Sequence, residues 1–296
     1  MRCLNLKLTY KCSNRCSFCF SSHLADTEMS LNGLVSAVQS GYYRGCRGLV
    51  LSGGEPTLVP DAIMEIMTVA VKLGYRKFII QTNGSGISCN SILCRFLTDF
   101  SALNNVDVCV SFSVHGPNAE IHDSMCRTRE AFSKLLDAIK KIASTRCVIY
   151  TNTVVSRLNI DCLEEIAGMI LPFSPKVLQF SIMHLPKPSE LSTGLVETAL
   201  AIRQLKDVVP IDTLRTEGIP YCLMHGMERC VGESYWPEEL DLYNQNDSYK
   251  DNFKQLDSGM RWKSQACIKC VMNEMCMGIW KEHIEQFLEE NIKPIF

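Results

Sequence analysis

Sixteen of the 296 residues are cysteine, and three of them fall within Lys11-Cys12-Ser13-Asn14-Arg15-Cys16-Ser17-Phe18-Cys19-Phe20, a C-x3-C-x2-C pattern. Thiols at this spacing are ligands for metal, and two kinds of centre compete for them. Structural zinc wants four closed ligands; no fourth cysteine follows closely, and His23 is the other conceivable donor. A four-iron cube uses an incomplete set differently. Three thiolates hold three irons and leave the fourth open to a chelating group, such as the amine and carboxylate of an amino acid. Thirty-odd residues later comes Leu49-Val50-Leu51-Ser52-Gly53-Gly54-Glu55-Pro56. Its glycines let backbone approach a ligand with no Cβ in the way, and its carboxylate can accept hydrogen bonds from an ammonium group.

A second group of cysteines lies near the C-terminus: Cys222, Cys230, Cys267-Ile268-Lys269-Cys270 and Cys276. Two thiols separated by two residues chelate one site, and four thiolates suit either zinc or a fully ligated cluster. Cys46, Cys89, Cys94, Cys109, Cys147 and Cys162 stand singly in apolar or helical contexts and read as small core residues.

These motifs need elements to position them. Cys3 to Leu8 reads as a strand that runs into the first cysteine loop, and Gly48 to Ser52 as a second strand ending at the glycine pair. Between and after them the pattern alternates. Helices are predicted over Leu31–Tyr42, Ala62–Leu73, Ile92–Phe100, Glu130–Ile142 and Asp161–Ile170. Strands are predicted over Lys77–Thr82, Val106–Val114, Cys147–Val155 and Val177–Met183. Six strands with intervening helices imply parallel βαβ units, an α/β chain wound into a partial (β/α)6 TIM-like barrel whose site lies at the C-terminal strand ends. The alternation breaks at Pro186-Lys187-Pro188. A helix over Gly194–Leu205 follows, and then a small cysteine-rich extension of different composition. This divides the chain into residues 1–210 and 211–296.

The bulk composition bounds the function. Hydrophobic residues at 46% and charged residues at 21% allow a sizeable core. A net charge of −2 gives no electrostatic footprint for duplex nucleic acid. There is no apolar run long enough for a membrane helix and no signal-peptide pattern. A cytoplasmic protein with reduced thiols is expected, which favours metal over disulfides.

The cysteine triplet with Phe18 before its last member, followed by Gly53-Gly54-Glu55-Pro56, resembles the radical S-adenosylmethionine superfamily over roughly residues 3 to 185. That resemblance implies a [4Fe-4S] cluster on Cys12, Cys16 and Cys19 that binds S-adenosylmethionine. The cluster would cleave the cofactor reductively to a 5′-deoxyadenosyl radical that abstracts hydrogen from a substrate. It also implies that Phe18 lies by the adenine and that Gly53, Gly54 and Glu55 hold the methionyl amine. Ser113 and Asn152, on segments similar to the family's fourth and fifth strands, would contact the cofactor, Asn152 at the ribose. His115 stands where many relatives carry Asp. Arg127, after His122-Asp123, could pair with the cofactor carboxylate.

The C-terminal cysteines resemble the SPASM and twitch extensions of that superfamily. Trp280 occupies the place of a further SPASM cysteine, which implies one auxiliary [4Fe-4S] cluster, on Cys222, Cys267, Cys270 and Cys276, with Cys230 in reserve. By the same resemblance the substrate is a peptide or protein side chain, as in peptide maturases, or a small metabolite. The electron donor would be a flavodoxin or ferredoxin, and a separate leader-peptide-recognition protein could take part, because the chain begins just before its first strand. A non-catalytic metal-binding adapter is the reading from another class. No acid or base stands out; Tyr221, His225, Tyr235 and Tyr243 read as packing or surface residues.

Overall fold

A computed structural model describes residues 1–185, 189–235, 240–244, 249–250, 259–286 and 295. The expected break at Pro186-Lys187-Pro188 lies outside them. The main sheet has the order β7-β6-β5-β4-β3-β2-β1-β8-β9 and does not close on itself. Strands β1 (Cys3–Thr9), β2 (Gly48–Gly53), β3 (Lys77–Thr82), β4 (Asp107–Ser113), β5 (Val148–Val155) and β6 (Val177–Ile182) are the six expected strands. All pair in parallel, which gives the partial barrel.

Three strands beyond residue 210 lengthen this sheet past six. β7 (Leu214–Glu217) pairs in parallel with β6 at one edge. β8 (Leu240–Tyr243) pairs in parallel with β1 at the other, and β9 (Tyr249–Lys250) runs antiparallel to β8. Both parallel additions are four residues long, shorter than any of the six expected strands. Asp241 on β8 is fully buried and accepts from Arg2 at 2.8 and 3.1 Å. A separate two-stranded ribbon joins β10 (Arg261–Trp262) to β11 (Ile279–Trp280).

The helices cover one face of the sheet. α1 (Leu31–Tyr43) starts at Ser30, whose hydroxyl accepts the Gly33 N–H. α2 (Pro60–Leu73) opens on proline and stops at Gly74, at φ 109°. α3 (Ser85–Cys89) is a single extra turn, followed by α4 (Ser91–Asn104). α5 (Ala119–Cys126) is capped by Asn118, whose side chain accepts the Ile121 N–H. α6 (Ala131–Ala143), α7 (Leu163–Ile170) and α8 (Leu195–Gln204) complete the layer. Under them Leu4, Leu6, Leu49, Leu51, Phe78, Ile80, Val108, Val110 and Phe112 are at most 1% exposed. Each such side chain contributes about 1.5–3 kcal/mol by leaving water.

The opposite face lines the barrel lumen and is wetter. Along β5 the buried Ile149, Thr151, Thr153 and Val155 alternate with the half-buried Tyr150, Asn152 and Val154. Of the singly placed cysteines, Cys46, Cys109, Cys147 and Cys162 are buried and Cys94 is partly buried. Cys89, read as a core residue, is exposed, because it sits on the short outer turn of α3 rather than on a strand.

Candidate functional site

The first cysteine loop leaves β1 through a shift in register. Lys7 pairs with Ser52 and Thr9 with Gly53, so one residue is extra and the chain is re-aimed as it leaves the sheet. Two backbone bonds then clamp the start of the loop to the glycine motif: Gly54 N–H donates to Thr9 O (2.7 Å) and Glu55 N–H to Lys11 O (2.8 Å). A Cβ on Gly54 would overlap the Tyr10 and Lys11 carbonyls, and one on Gly53, at φ 134°, would overlap that of Thr9. The glycines therefore permit the approach that seats the cysteine loop.

The far side of the loop rests on the end of α5. Arg15 N–H donates to Cys126 O (3.0 Å) and Ser17 N–H to Met125 O (3.1 Å). Asn14 N–H points at Cys12 Sγ (3.4 Å), and Asn83 Nδ2 lies 3.8 Å from the same sulfur. Cys12 is exposed, while Cys16 and Cys19 are partly buried. Although the residue is exposed, desolvation of its sulfur by the surrounding loop, opposed by the Asn14 N–H and reinforced by the negative charges of Glu55, Cys16 and Cys19, pushes the Cys12 thiol up to about 11. A thiol so disfavoured as an anion suits a cationic centre, because a bound metal inverts that penalty. The three thiols thus fit an iron–sulfur cluster. His23 is exposed on the short 3-10 turn Ser22–Leu24.

Glu55 departs from the expected carboxylate contact with a cofactor amine. It is 0% exposed. Its Oε1 accepts from Thr57 N–H (3.0 Å), Thr57 Oγ1 (2.5 Å) and Thr82 Oγ1 (2.7 Å), and its Oε2 from Asn83 N–H (2.6 Å). Burial pushes this carboxyl up while those donors pull it down. With four donors and no acceptor facing it, the carboxylate ties the β2 and β3 ends together, and what the motif can turn toward a ligand is backbone.

The remaining expected residues gather at the same end of the sheet. Phe18 meets His115 edge-on, with centroids 4.7 Å apart. Ser113 and Asn152 are register partners across β4 and β5, both half-buried. Gln179 Nε2 donates to Asn152 Oδ1 (3.3 Å) and Glu217 Oε2 (2.8 Å), and the Ser181 hydroxyl, with its one hydrogen, lies between the same two oxygens at 2.7 and 2.8 Å. This polar strip crosses β5, β6 and β7. Arg127 is exposed at the C-cap of α5.

The C-terminal thiols also come together. Cys222, Cys267, Cys270 and Cys276 line one cavity with Pro220 and Trp262, its walls mostly carbon and sulfur, with ≈ 460 Å³ of empty space, part of it open to solvent. Gly278 N–H donates to Cys276 Sγ (3.4 Å) and Ile295 N–H to Cys270 Sγ (3.4 Å). Gly278, at φ 78°, has no room for a Cβ against the Trp262 carbonyl. Burial raises the Cys276 thiol, again a cost that a cation would reverse. Cys230 is outside this cavity, fully buried with its sulfur 3.8 Å from Ile211 O. Among the described residues, no three His, Cys, Asp or Glu side chains converge closely enough for a single metal ion. The four C-terminal thiols surround a space rather than a point.

Two features escaped the sequence reading. Lys7 faces the lumen on the polar side of β1, and burial alone brings its ammonium down to about 8. An amine so placed can hold or release a proton near neutral pH. Its signal was visible: a charge inside the alternation Leu4, Leu6, Leu8. The other feature is Cys126, whose carbonyl takes the Arg15 N–H of the cysteine loop and whose sulfur lies 3.4 Å from His122 Nε2. Only the fold brings that loop and this helix end together. Tyr221 and Tyr243 are buried, and His225 and Tyr235 are exposed, as expected for packing and surface positions.

Known proteins resolve the class. The model of the Radical SAM superfamily matches residues 6–170, more than half of the sequence, and the chain belongs to that superfamily, whose members are enzymes. GTP 3′,8-cyclase of Stenotrophomonas maltophilia (strain K279a) is 36% identical over 86 residues, 28% of this chain and 26% of the cyclase. The chain thus matches about a quarter of that relative's length. Among solved structures, native anSMEcpe with bound AdoMet and Kp18Cys peptide superposes with TM-score 0.68 at 17% identity, covering 95% of this chain and 89% of its own. Streptococcus suis SuiB bound to precursor peptide SuiA superposes with TM-score 0.68 at 13% identity, over 96% and 73%. Native anSMEcpe with bound AdoMet, at 22% identity and TM-score 0.57, is matched over 70% of this chain and 60% of its own. These likenesses establish the fold. Among the described residues no helix is long and apolar enough to cross a membrane.

Proposed function

We propose that the chain is a radical S-adenosylmethionine enzyme that oxidatively modifies a peptide or protein side chain. Cys12, Cys16 and Cys19 hold the cofactor's [4Fe-4S] cluster, and Cys222, Cys267, Cys270 and Cys276 hold an auxiliary one. When bound, the reduced first cluster supplies the electron that cleaves the sulfonium of S-adenosylmethionine, and the resulting 5′-deoxyadenosyl radical takes hydrogen from the substrate. The Gly53-Gly54 backbone holds the methionyl amine, with Glu55 fixing its position from beneath. Phe18 covers the adenine, and Ser113 and Asn152 hold the rest of the cofactor at the barrel mouth. Residues 1–210 form the radical core and 211–296 a twitch-like auxiliary unit. A flavodoxin or ferredoxin in the cytoplasm supplies electrons, and a separate recognition protein presents the leader of a precursor peptide.

The observation that carries this reading is the seating of the three-thiol loop on Gly54 and Glu55 at the lumen mouth. The peptide side of it is supported by likeness to two structures with bound peptides, which extends across the C-terminal region. The short match to GTP 3′,8-cyclase favours a second reading, a small phosphorylated metabolite as substrate.

Anaerobic reconstitution with iron and sulfide tests the proposal. About eight irons per chain are expected, with 5′-deoxyadenosine formed on reduction in the presence of S-adenosylmethionine. No 5′-deoxyadenosine above the Cys12→Ala background would leave the adapter reading standing. About four irons, with zinc in the tail, would remove the auxiliary cluster. Deuterium transfer from a labelled peptide, against a labelled nucleotide, then separates the substrate classes.

A further inference from the structure

The lumen face of the sheet carries a row of polar side chains that the protein itself leaves mostly unused. Along β1, Leu4, Leu6 and Leu8 are buried under the helices, so Asn5 and Lys7 point the other way, into the lumen. Lys7 pairs in register with Ser52 of β2. Ser52 and Gln81 each follow a paired residue, Leu51 and Ile80, and Gln81 in turn pairs with Ser111 of β4. Lys7, Ser52, Gln81 and Ser111 therefore stand side by side on four neighbouring strands. Ser52 is spent, because its hydroxyl donates to Asn5 Oδ1 at 2.5 Å. Among the described residues, no hydrogen bond or ion pair involves the side chains of Lys7, Gln81 or Ser111.

Space and charge both favour a ligand there. Gln81 is exposed although β3 lies in the middle of the nine-stranded sheet, and Lys7 and Ser111 are half-buried, so solvent reaches this face. An ammonium group only donates, and the amide and hydroxyl beside it can donate too. No carboxylate stands in the row. On β8, the other neighbour of β1, Leu240 and Leu242 share the lumen face, while Asp241 is taken by Arg2 on the opposite one. Glu217 lies on β7, at the far side of the sheet, where Gln179 donates to it at 2.8 Å. Burial with no neighbouring charge lowers the Lys7 ammonium to about 8, so it stays cationic at neutral pH without an internal partner to offset its desolvation. Neighbouring strands about 4.8 Å apart set the Lys7 and Gln81 backbones about 10 Å apart, a gap that two long side chains can close on one anion.

We propose that Lys7, with the Gln81 amide and the Ser111 hydroxyl, binds an anionic group of the substrate, a carboxylate or a phosphate, in the lumen. That the ligand is a substrate rests on the proposed radical chemistry; that an anion binds rests on the row alone. Lys7 stands immediately before the register shift that turns β1 into the cysteine loop. An anion held there ties the adjoining part of the substrate to the strand that carries Cys12, Cys16 and Cys19. A hydrogen bond to a charged group is stronger than a neutral one, so Lys7 supplies most of the affinity, and Gln81 and Ser111 fix the orientation.

The test is calorimetric titration of the reconstituted full chain with two probes, N-acetylglutamate N-methylamide for a peptide carboxylate and inorganic phosphate for a phosphorylated metabolite. Binding of at least one is expected, weakened about tenfold or more in K7M and restored to within a few-fold of wild type in K7R. Tighter binding of the carboxylate supports the site with an acidic peptide side chain in it, and tighter binding of phosphate supports it with a metabolite. Failure of both probes to bind overturns the proposal, as do equal affinities in wild type and K7M. Should K7M fail to fold, reductive methylation of the unsubstituted chain decides, read by mass spectrometry. The bound probe should slow methylation of Lys7 and leave exposed Lys11 unchanged; equal Lys7 rates with and without probe overturn the site. A chain that makes no 5′-deoxyadenosine yet binds a probe through Lys7 removes the radical reading and keeps the anion site. One that makes 5′-deoxyadenosine and binds neither probe overturns the anion site alone.

Discussion

The two groups of thiols are built to opposite designs. The N-terminal three lie on a loop with Cys12 exposed, clamped by backbone bonds to β2 on one side and α5 on the other. The C-terminal four ring a cavity of carbon and sulfur, between Pro220–Cys222 and the loop that links β10 and β11. Under the proposed assignment, the three-thiol set would leave a position for a ligand to complete the coordination, and the four-thiol set would supply a full one, which suits electron transfer better than substrate binding. The two sites would then do different work within one chain.

The largest expected effect tests the open side. Cys12→Ala, Cys16→Ala or Cys19→Ala should halve the bound iron, from about eight to about four, and abolish 5′-deoxyadenosine formation. Metal analysis and chromatography of the cleavage product read both. Substituting Cys267 or Cys276 by Ala should also remove about four irons, yet leave S-adenosylmethionine cleavage without substrate within a few-fold of wild type. Retention of all the iron in C267A would break the comparison.

Smaller effects concern the supports. Glu55→Ala leaves donors of Thr57, Thr82 and Asn83 buried without their acceptor. At about 1–3 kcal/mol for a buried group stripped of its partner, it should lower stability by several kcal/mol in urea unfolding, where a surface carboxylate would cost almost nothing. The N-terminal loop also rests on a buried neutral histidine: burial holds His122 down to about 4 and His115 well below the usual range. The folded form resists protonation while the unfolded chain takes it up from pH 6.5 downward. Stability is therefore fully present above pH 6.5 and lost as pH falls toward 4, by about 3 kcal/mol for His122 alone. Urea unfolding of cluster-free chain at pH 7 and pH 4 checks this, and H122F should flatten the difference. The smallest effect sharpens the ligand set. Cys230→Ser should leave iron content unchanged and cost about 1–3 kcal/mol for a buried hydroxyl, whereas Cys222→Ser should release iron.

Much of this was legible before the fold was seen. The six interior strands read clearly because each is a short apolar run between turn signals, and Lys77–Thr82 matches its expected limits. The thiol triplet and Gly53-Gly54-Glu55 were legible because they are local. What stayed hidden is what only long-range packing creates. Glu55 was read as a partner for an ammonium group because its carboxylate follows a strand end, and the donors that occupy it come from Thr57, Thr82 and Asn83, the last two on and after the next strand. Cys126 was not singled out at all, since a lone cysteine at a helix end has no signature until the cysteine loop is brought to it. β8 escaped because four residues, Leu-Asp-Leu-Tyr, carry too little pattern to announce a strand.

That short strand has a consequence for assembly in time. β1, which delivers the cysteine loop, pairs on its outer side with residues made some 240 positions later, and Arg2 reaches Asp241 across 239 residues of chain. At ribosomal rates of about 5–20 residues per second, that flank stays uncovered for roughly 12 to 50 seconds after β1 is made. A β edge bare for that long invites pairing with other chains.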